Sequence, residues 1–178
     1  MNFSQHYLEN AKFEFERYKK LGEGTFDQLS ENQLHWRPSE TDNSIAIIVK
    51  HLAGNMLSRW TNFLTEDGEK PWRHRDTEFE DPPQTKKELL LLWEKGWQCL
   101  FQALDSINES NFDTKVVIRG EEHSITQAIN RQLGHYASHV GQIVLLGKVI
   151  RGEAWQSLSI PKGKSEAFNN NFFRKNKS

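Results

Sequence analysis

The chain carries one cysteine, Cys99, in 178 residues. A single thiol excludes an internal disulfide framework and any cysteine-rich zinc module. Proline is also scarce, at positions 38, 71, 82, 83 and 161 only. Proline inside a helix costs about 3 kcal/mol, so the long windows between these positions are where long helices can form. Neither sign of charge is in excess, with 23 Lys and Arg against 24 Asp and Glu and a net of −1. That balance excludes a strongly basic nucleic-acid binder, although it leaves room for a local patch. No apolar run reaches the roughly 18 residues a membrane span needs. The opening Met1-Asn2-Phe3-Ser4-Gln5-His6 has no basic segment followed by an apolar one, the pattern of a secretory signal. A soluble cytoplasmic protein is the expectation. What is plentiful is aromatic, with 11 Phe, 6 Trp and 3 Tyr, and seven histidines are spread unevenly.

Four windows read as amphipathic helices. In residues 4–29, Phe3, Tyr7, Phe15, Tyr18 and Phe26 recur at helical spacing, and Gly22 and Gly24 weaken the end. Ser30 and Gln33 open one further short turn with a capping-box pattern. In residues 44–64, Ile45, Ile48, Leu52, Met56, Trp60 and Phe63 form an i, i+3, i+4 stripe that Asn43 or Ser44 can cap. In residues 85–107, Thr85 and Glu88 form a capping box after Pro82-Pro83, followed by Leu89, Trp93, Trp97, Leu100, Leu104 and Ile107. In residues 124–151, Ser124 and Gln127 form another box, and the stripe runs through Ile125, Ile129, Leu133, Tyr136, Val140, Ile143 and Val144 up to Gly152. Four such helices predict an all-α four-helix bundle.

The connections carry information too. Residues 65–84 hold ten charged residues, three prolines and Trp72, and a loop that long is usually functional or disordered. Residues 114–123 predict a short β-hairpin turning near Gly120. Trp155, Leu158 and Ile160 predict a tail that docks on the helices, while Asn169 to Ser178 reads as a basic, frayed end. The domain reading is one helical unit over 1–165 and a polar tail over 166–178.

Helix four carries His135 and His139, and residues four apart share a helical face. Two imidazoles so spaced can reach one metal ion. Helix two offers a third, His51. At about 100° per residue, all three fall roughly 60–100° to the side of their apolar stripes. Such a shoulder is where a groove between helices meets water. A catalytic metal needs that access, whereas a structural site is closed by four ligands. A solvated histidine also occurs at such positions, and no fourth ligand is legible. The His-Glu-x-x-His motif of zinc proteases is missing, because Tyr136 follows His135. Phosphate-loop and Gly-x-Ser-x-Gly motifs are missing as well. Cys99 reads as a packed thiol. The acidic run Asp76 to Asp81 reads as a solvated loop or as the source of an acid or base near a cleft. Lys70, Arg73 and Arg75 could bind a carboxylate there.

Three stretches resemble a known family. They are Leu34-His35-Trp36-Arg37-Pro38-Ser39, Asn43 to Leu52 around His51, and Arg131-Gln132-Leu133-Gly134-His135-Tyr136-Ala137-Ser138-His139-Val140-Gly141-Gln142-Ile143. With the tail Leu158 to Ser165, they resemble the DinB-like metal-binding bundles. That superfamily includes damage-inducible DinB proteins and bacterial bacillithiol and mycothiol S-transferases. The likeness extends over residues 1 to about 165, toward an uncharacterised bacterial branch.

The resemblance implies a DinB-like four-helix bundle, with the hairpin before the last long helix and the tail packed on it. It also implies one divalent ion on His51, His135 and His139, and a homodimer. Imidazole suits several transition metals, so Zn, Ni, Fe and Mn all remain candidates. Metal-bound water or thiolate would be the reactive group, and no catalytic side chain is legible. Asn55, one turn after His51, and Gln142, three residues after His139, are candidates for orienting the ligands. The implied activity is transfer of a low-molecular-weight thiol to a small-molecule electrophile. Hydrolysis of a small amide or ester is the alternative enzyme. A non-enzymatic dimeric stress-response or interaction protein with a structural metal is the alternative class. No membrane or nucleic-acid partner is expected.

Overall fold

The computed structural model describes residues 2–175. In chain order its elements are α1 (Phe3–Phe26), α2 (Glu31–Leu34), α3 (Ile45–Trp60), a 3-10 turn (Asp76–Phe79), α4 (Lys86–Asp105), β1 (Lys115–Ile118), β2 (Glu121–Ser124), α5 (Ile125–Arg151), a second 3-10 turn (Gly152–Ala154) and α6 (Ser165–Lys175). The fold is mostly helical, with a two-stranded antiparallel sheet. No described helix is long and apolar enough to cross a membrane.

The helix starts follow local chemistry. Asn2 accepts from the Gln5 amide, and Ser44, rather than Asn43, accepts from Ile47. Thr85 with Glu88 and Ser124 with Gln127 close full capping boxes at α4 and α5. Each box satisfies backbone N–H groups that have no partner inside the helix. The helix ends depart more from expectation. α1 stops at Phe26 because Gln28 and Leu29 tighten into i→i+3 bonds with Thr25 and Phe26. α3 stops at Trp60, four residues early. Thr61 is extended, and Asn62 takes a left-handed φ of 49°, a conformation asparagine tolerates. The Asn62 carbonyl then accepts from Thr65 and Glu66, which turns the chain back along α3. In the hairpin, Ile118 pairs with Glu121, and Arg119 and Gly120 both have positive φ. That is the two-residue turn whose twist matches the strands.

One hydrophobic core joins the four long helices. Phe15 and Phe26 come from α1, and Leu52, Met56 and Trp60 from α3. Trp93, Trp97 and Leu100 come from α4, and Ile129, Tyr136 and Ile143 from α5. α3 lies mainly along α4, and α1 along α5. Phe15 sits between Trp60, Trp97 and Tyr136, with ring centroids 5.8–6.3 Å away. The α1 stripe is less buried than its spacing suggests. Phe3 is exposed, with its ring against those of Tyr7 and Phe112.

The charged stretch 65–84 is an ordered strap on α3. Ser58 Oγ donates to the Gly68 carbonyl and accepts from the Lys70 amide. Arg59 also donates to the Gly68 carbonyl. Lys50 Nζ donates to the carbonyls of Thr77, Glu80 and Asp81 at 2.6–3.2 Å. Trp72 stays exposed. The tail docks over a short length only. Trp155 packs over Gly147 and Leu158 over Gly24. The Gln28 side chain exchanges two hydrogen bonds with the Gln156 backbone. Beyond Leu158 the tail is exposed through residue 171, so Trp155 and Leu158 dock as expected, whereas the docking expected of Ile160 is corrected. The expected frayed end is corrected as well, since Ser165–Lys175 is helical. No proline or glycine follows Gly163 to interrupt it. Residues 176–178 of the expected frayed end lie outside the described residues.

Candidate metal centre

α3 and α5 bring three imidazoles together. His51 on α3 faces His135 and His139, which stand one turn apart on α5. Ring centroids are 5.4 Å apart for His51–His135, 4.9 Å for His51–His139 and 4.7 Å for His135–His139. One ring nitrogen from each lies within 4.8 Å of the other two. His51 Nε2 and His135 Nε2 are 3.4 Å apart. Nitrogens at 2.0–2.1 Å around a tetrahedral ion are separated by about 3.3 Å, so this edge already has the length a shared ion requires.

The shoulder position of His51 is not open to water. The ring is only 5% exposed, because the strap covers it. Phe79 stacks on it with centroids 4.9 Å apart and planes 26° apart. Glu78 Oε2 lies 2.8 Å from His51 Nδ1. Arg73 grips the same carboxylate from behind, with Nε 2.7 Å from Oε1 and Nη2 3.0 Å from Oε2. Gly54, one turn after His51, makes room for this arrangement, since a Cβ there would collide with Glu78 Oε1. From sequence, the run Asp76 to Asp81 reads as a solvated loop or as the source of an acid or base, and nothing in its spacing separates Glu78 from its neighbours. Of the three cations that could bind a carboxylate there, Arg73 does so. Lys70 pairs instead with Glu66 at 2.8 Å.

Gln142 Oε1 lies 3.1 Å from His139 Nδ1. Oxygen acceptors at Nδ1 of His51 and His139 place the proton there and leave Nε2 with a lone pair, as a metal ligand needs. Asn55 does not reach a histidine. Its Oδ1 accepts from the Tyr136 hydroxyl at 3.0 Å, and that hydroxyl accepts from Trp60 Nε1 at 3.0 Å. Tyr136→Phe should therefore strand a buried indole N–H and cost about 1–2 kcal/mol. A denaturant titration of both proteins measures that difference.

Burial, then the neighbouring His139 and His51, push the His135 imidazole down to about 3. Burial first and His51 second also lower His139, against an opposing bond to Gln142. Both rings are neutral donors at physiological pH. Glu78 would be raised by burial, but hydrogen bonds from His51 and Arg73 and the Arg73 charge hold it below the usual carboxylate range.

The histidines border a cavity of about 400 Å³, a size suited to a small molecule. No residue of the docked tail lines it. Cys99 lies elsewhere, half-buried and 3.5 Å from Thr61 Oγ1.

A mostly helical fold with three converging histidines beside a cavity is the class defined by this geometry. The chain belongs to the family described as Protein of unknown function (DUF1572), whose model matches residues 2–164. No curated protein and no solved structure shows significant similarity to it.

Proposed function

We infer that this is a DinB-like four-helix bundle in which His51, His135 and His139 hold one divalent transition ion, and that the adjoining cavity receives a small-molecule substrate. The observation that carries the reading is the convergence of three imidazoles, two of them with Nδ1 already occupied by an oxygen acceptor. A bound ion would supply Lewis acidity, lowering the pKa of a thiol or water beside it toward neutrality. The chain's own residues orient the rings. Glu78 and Gln142 fix their tautomers, Phe79 excludes water from one face of His51, and Asn55 presents its amide to the cavity.

Thiol transfer is the better supported reaction. Hydrolysis needs a positioned proton shuttle, and no carboxylate lines the cavity among the described residues. Glu78 is committed to His51 and Arg73. An external thiol needs no such shuttle once its proton is lost. The cavity's freedom from the tail favours an enzyme over a sealed structural site. A homodimer and a cytoplasmic location remain part of the proposal.

Metal content is the test. Untagged protein, purified without a nickel column, should contain about one transition-metal ion per chain by mass spectrometry, since one open site of this kind takes one ion. His135→Ala and His139→Ala should each abolish it. A wild-type chain that holds no metal and takes up none on exposure to Zn, Ni, Fe or Mn would overturn the reading.

A further inference from the structure

The cavity beside the histidines is walled by positive charge. Arg59, Arg73, Arg75, Arg119 and Arg131 line it, and among the described residues no aspartate or glutamate does. Three of the five are tethered from behind. Arg59 and Arg119 share Glu69 at 3.0 and 2.9 Å, and Arg73 is bound to Glu78. Arg75 and Arg131 differ. Arg131 has no hydrogen bond or ion pair among the described residues. It lies one turn before His135 on the same helical face. Among the described residues Arg75 pairs only with Asp76, at 3.9 Å in solvent, and its guanidinium lies over Phe79. Both side chains are exposed at the cavity edge.

A second observation comes from deeper in the cavity. Gln132 is only 3% exposed, yet its amide oxygen has no partner among the described residues. Arg59 Nε is also buried without one. Oxygen and nitrogen of a glutamine amide exchange by a simple flip, so Gln132 can offer either a donor or an acceptor. Leaving such a group unsatisfied costs about 1–3 kcal/mol. A polar ligand in the cavity would remove that cost.

We propose that the cavity binds a small molecule bearing an oxyanion, a carboxylate or phosphate group, gripped by Arg75 and Arg131 with Gln132 bonding its polar remainder. This rests on reading the cavity as the substrate site. It adds the charge of the substrate, and it needs the arginines rather than the ion. Guanidinium groups match both anions in shape and charge. A cationic rim also draws anions toward the cavity, an attraction that salt screens.

Calorimetry on the full chain tests this with benzoate, phenyl phosphate and the neutral control benzamide. Each is titrated at low salt into metal-stripped and metal-loaded protein. At least one anion should bind the stripped protein while benzamide does not, and the tighter anion identifies the group. Arg131→Gln and Arg75→Gln should each weaken that binding by about tenfold, with unchanged thermal melts. Three results would overturn the proposal: benzamide binding as well as the anions, variants that bind like wild type, or anion binding only in loaded protein and indifferent to both arginines. The last would leave the metal reading intact. Arginine-dependent anion binding in a chain that never takes up metal would do the reverse.

Discussion

Glu78→Ala should lower the unfolding free energy by about 3–5 kcal/mol, the usual cost of stranding one partner of a buried ion pair. The Arg73 side chain is 2% exposed and Glu78 7%. Removing the carboxylate leaves a guanidinium in the interior with only Glu69, at 3.6 Å, to answer it among the described residues. The lower half of the range is expected for that reason. The same change also removes the acceptor on His51 Nδ1. Glu78→Gln separates the two roles. It keeps the shape and an acceptor oxygen, so it should lose less stability, while metal affinity falls about 10- to 100-fold. Denaturant titration reads the first effect and competition with a chelator the second. Equal stability of Glu78→Ala and wild type would show that the buried pair contributes nothing. The pH dependence has a definite sign. The folded carboxyl titrates below its ordinary value of 4.5. Its contribution is therefore complete above that value and is lost as pH falls through the lower folded one. Glu78→Ala should flatten the acid limb of the stability curve below about pH 4.5.

Trp97→Ala is the second large effect, at about 3–5 kcal/mol. Trp97 is fully buried on α4 and touches Phe15 of α1 and Tyr136 of α5, with Trp93 and Phe101 on its own helix. An alanine there opens a void where three helices meet, and the surrounding rings cannot all collapse into it. For a chain of this size the midpoint of thermal unfolding should fall by roughly 6–20 °C. Trp97→Phe is the informative control. The Trp97 indole N–H is buried without a partner, so phenylalanine removes an unsatisfied donor along with some volume. It should cost far less than alanine. Equal losses for the two would mean that volume does not govern this position and that the indole itself is required.

The long helices were legible because their signals are local. Capping boxes at Thr85 and Ser124 and stripes at helical spacing depend on neighbours within a turn or two. The end of α3 was not, because it depends on Asn62 entering a left-handed conformation. The meeting of His51 with His135 and His139 follows from helix faces, which periodicity describes. The partnership of His51 with Glu78 does not. It depends on how a strap of irregular chain lies on α3, and that path is set by Lys50, Ser58 and Arg59 bonding to strap carbonyls. Spacing carries no trace of such bonds. The exclusion of a Cβ at Gly54 is visible only once Glu78 is in place.

The strap is fastened at its far side as well. Asp67 accepts from the backbone amides of Glu69, Arg119 and Gly120 at 2.7–2.8 Å. Its carboxyl is held low by those bonds against the opposing effect of burial. The candidate centre is thus divided in its mechanics. The three imidazoles ride on two long helices, whereas the carboxylate that orients one of them hangs between a helix and a hairpin turn. Releasing the strap would take away Glu78, Phe79 and Arg73 together and leave the three rings where they are. The tip of a two-residue turn, nearly seventy positions from His51 in sequence, is thereby linked thermodynamically to the carboxylate that holds that ring.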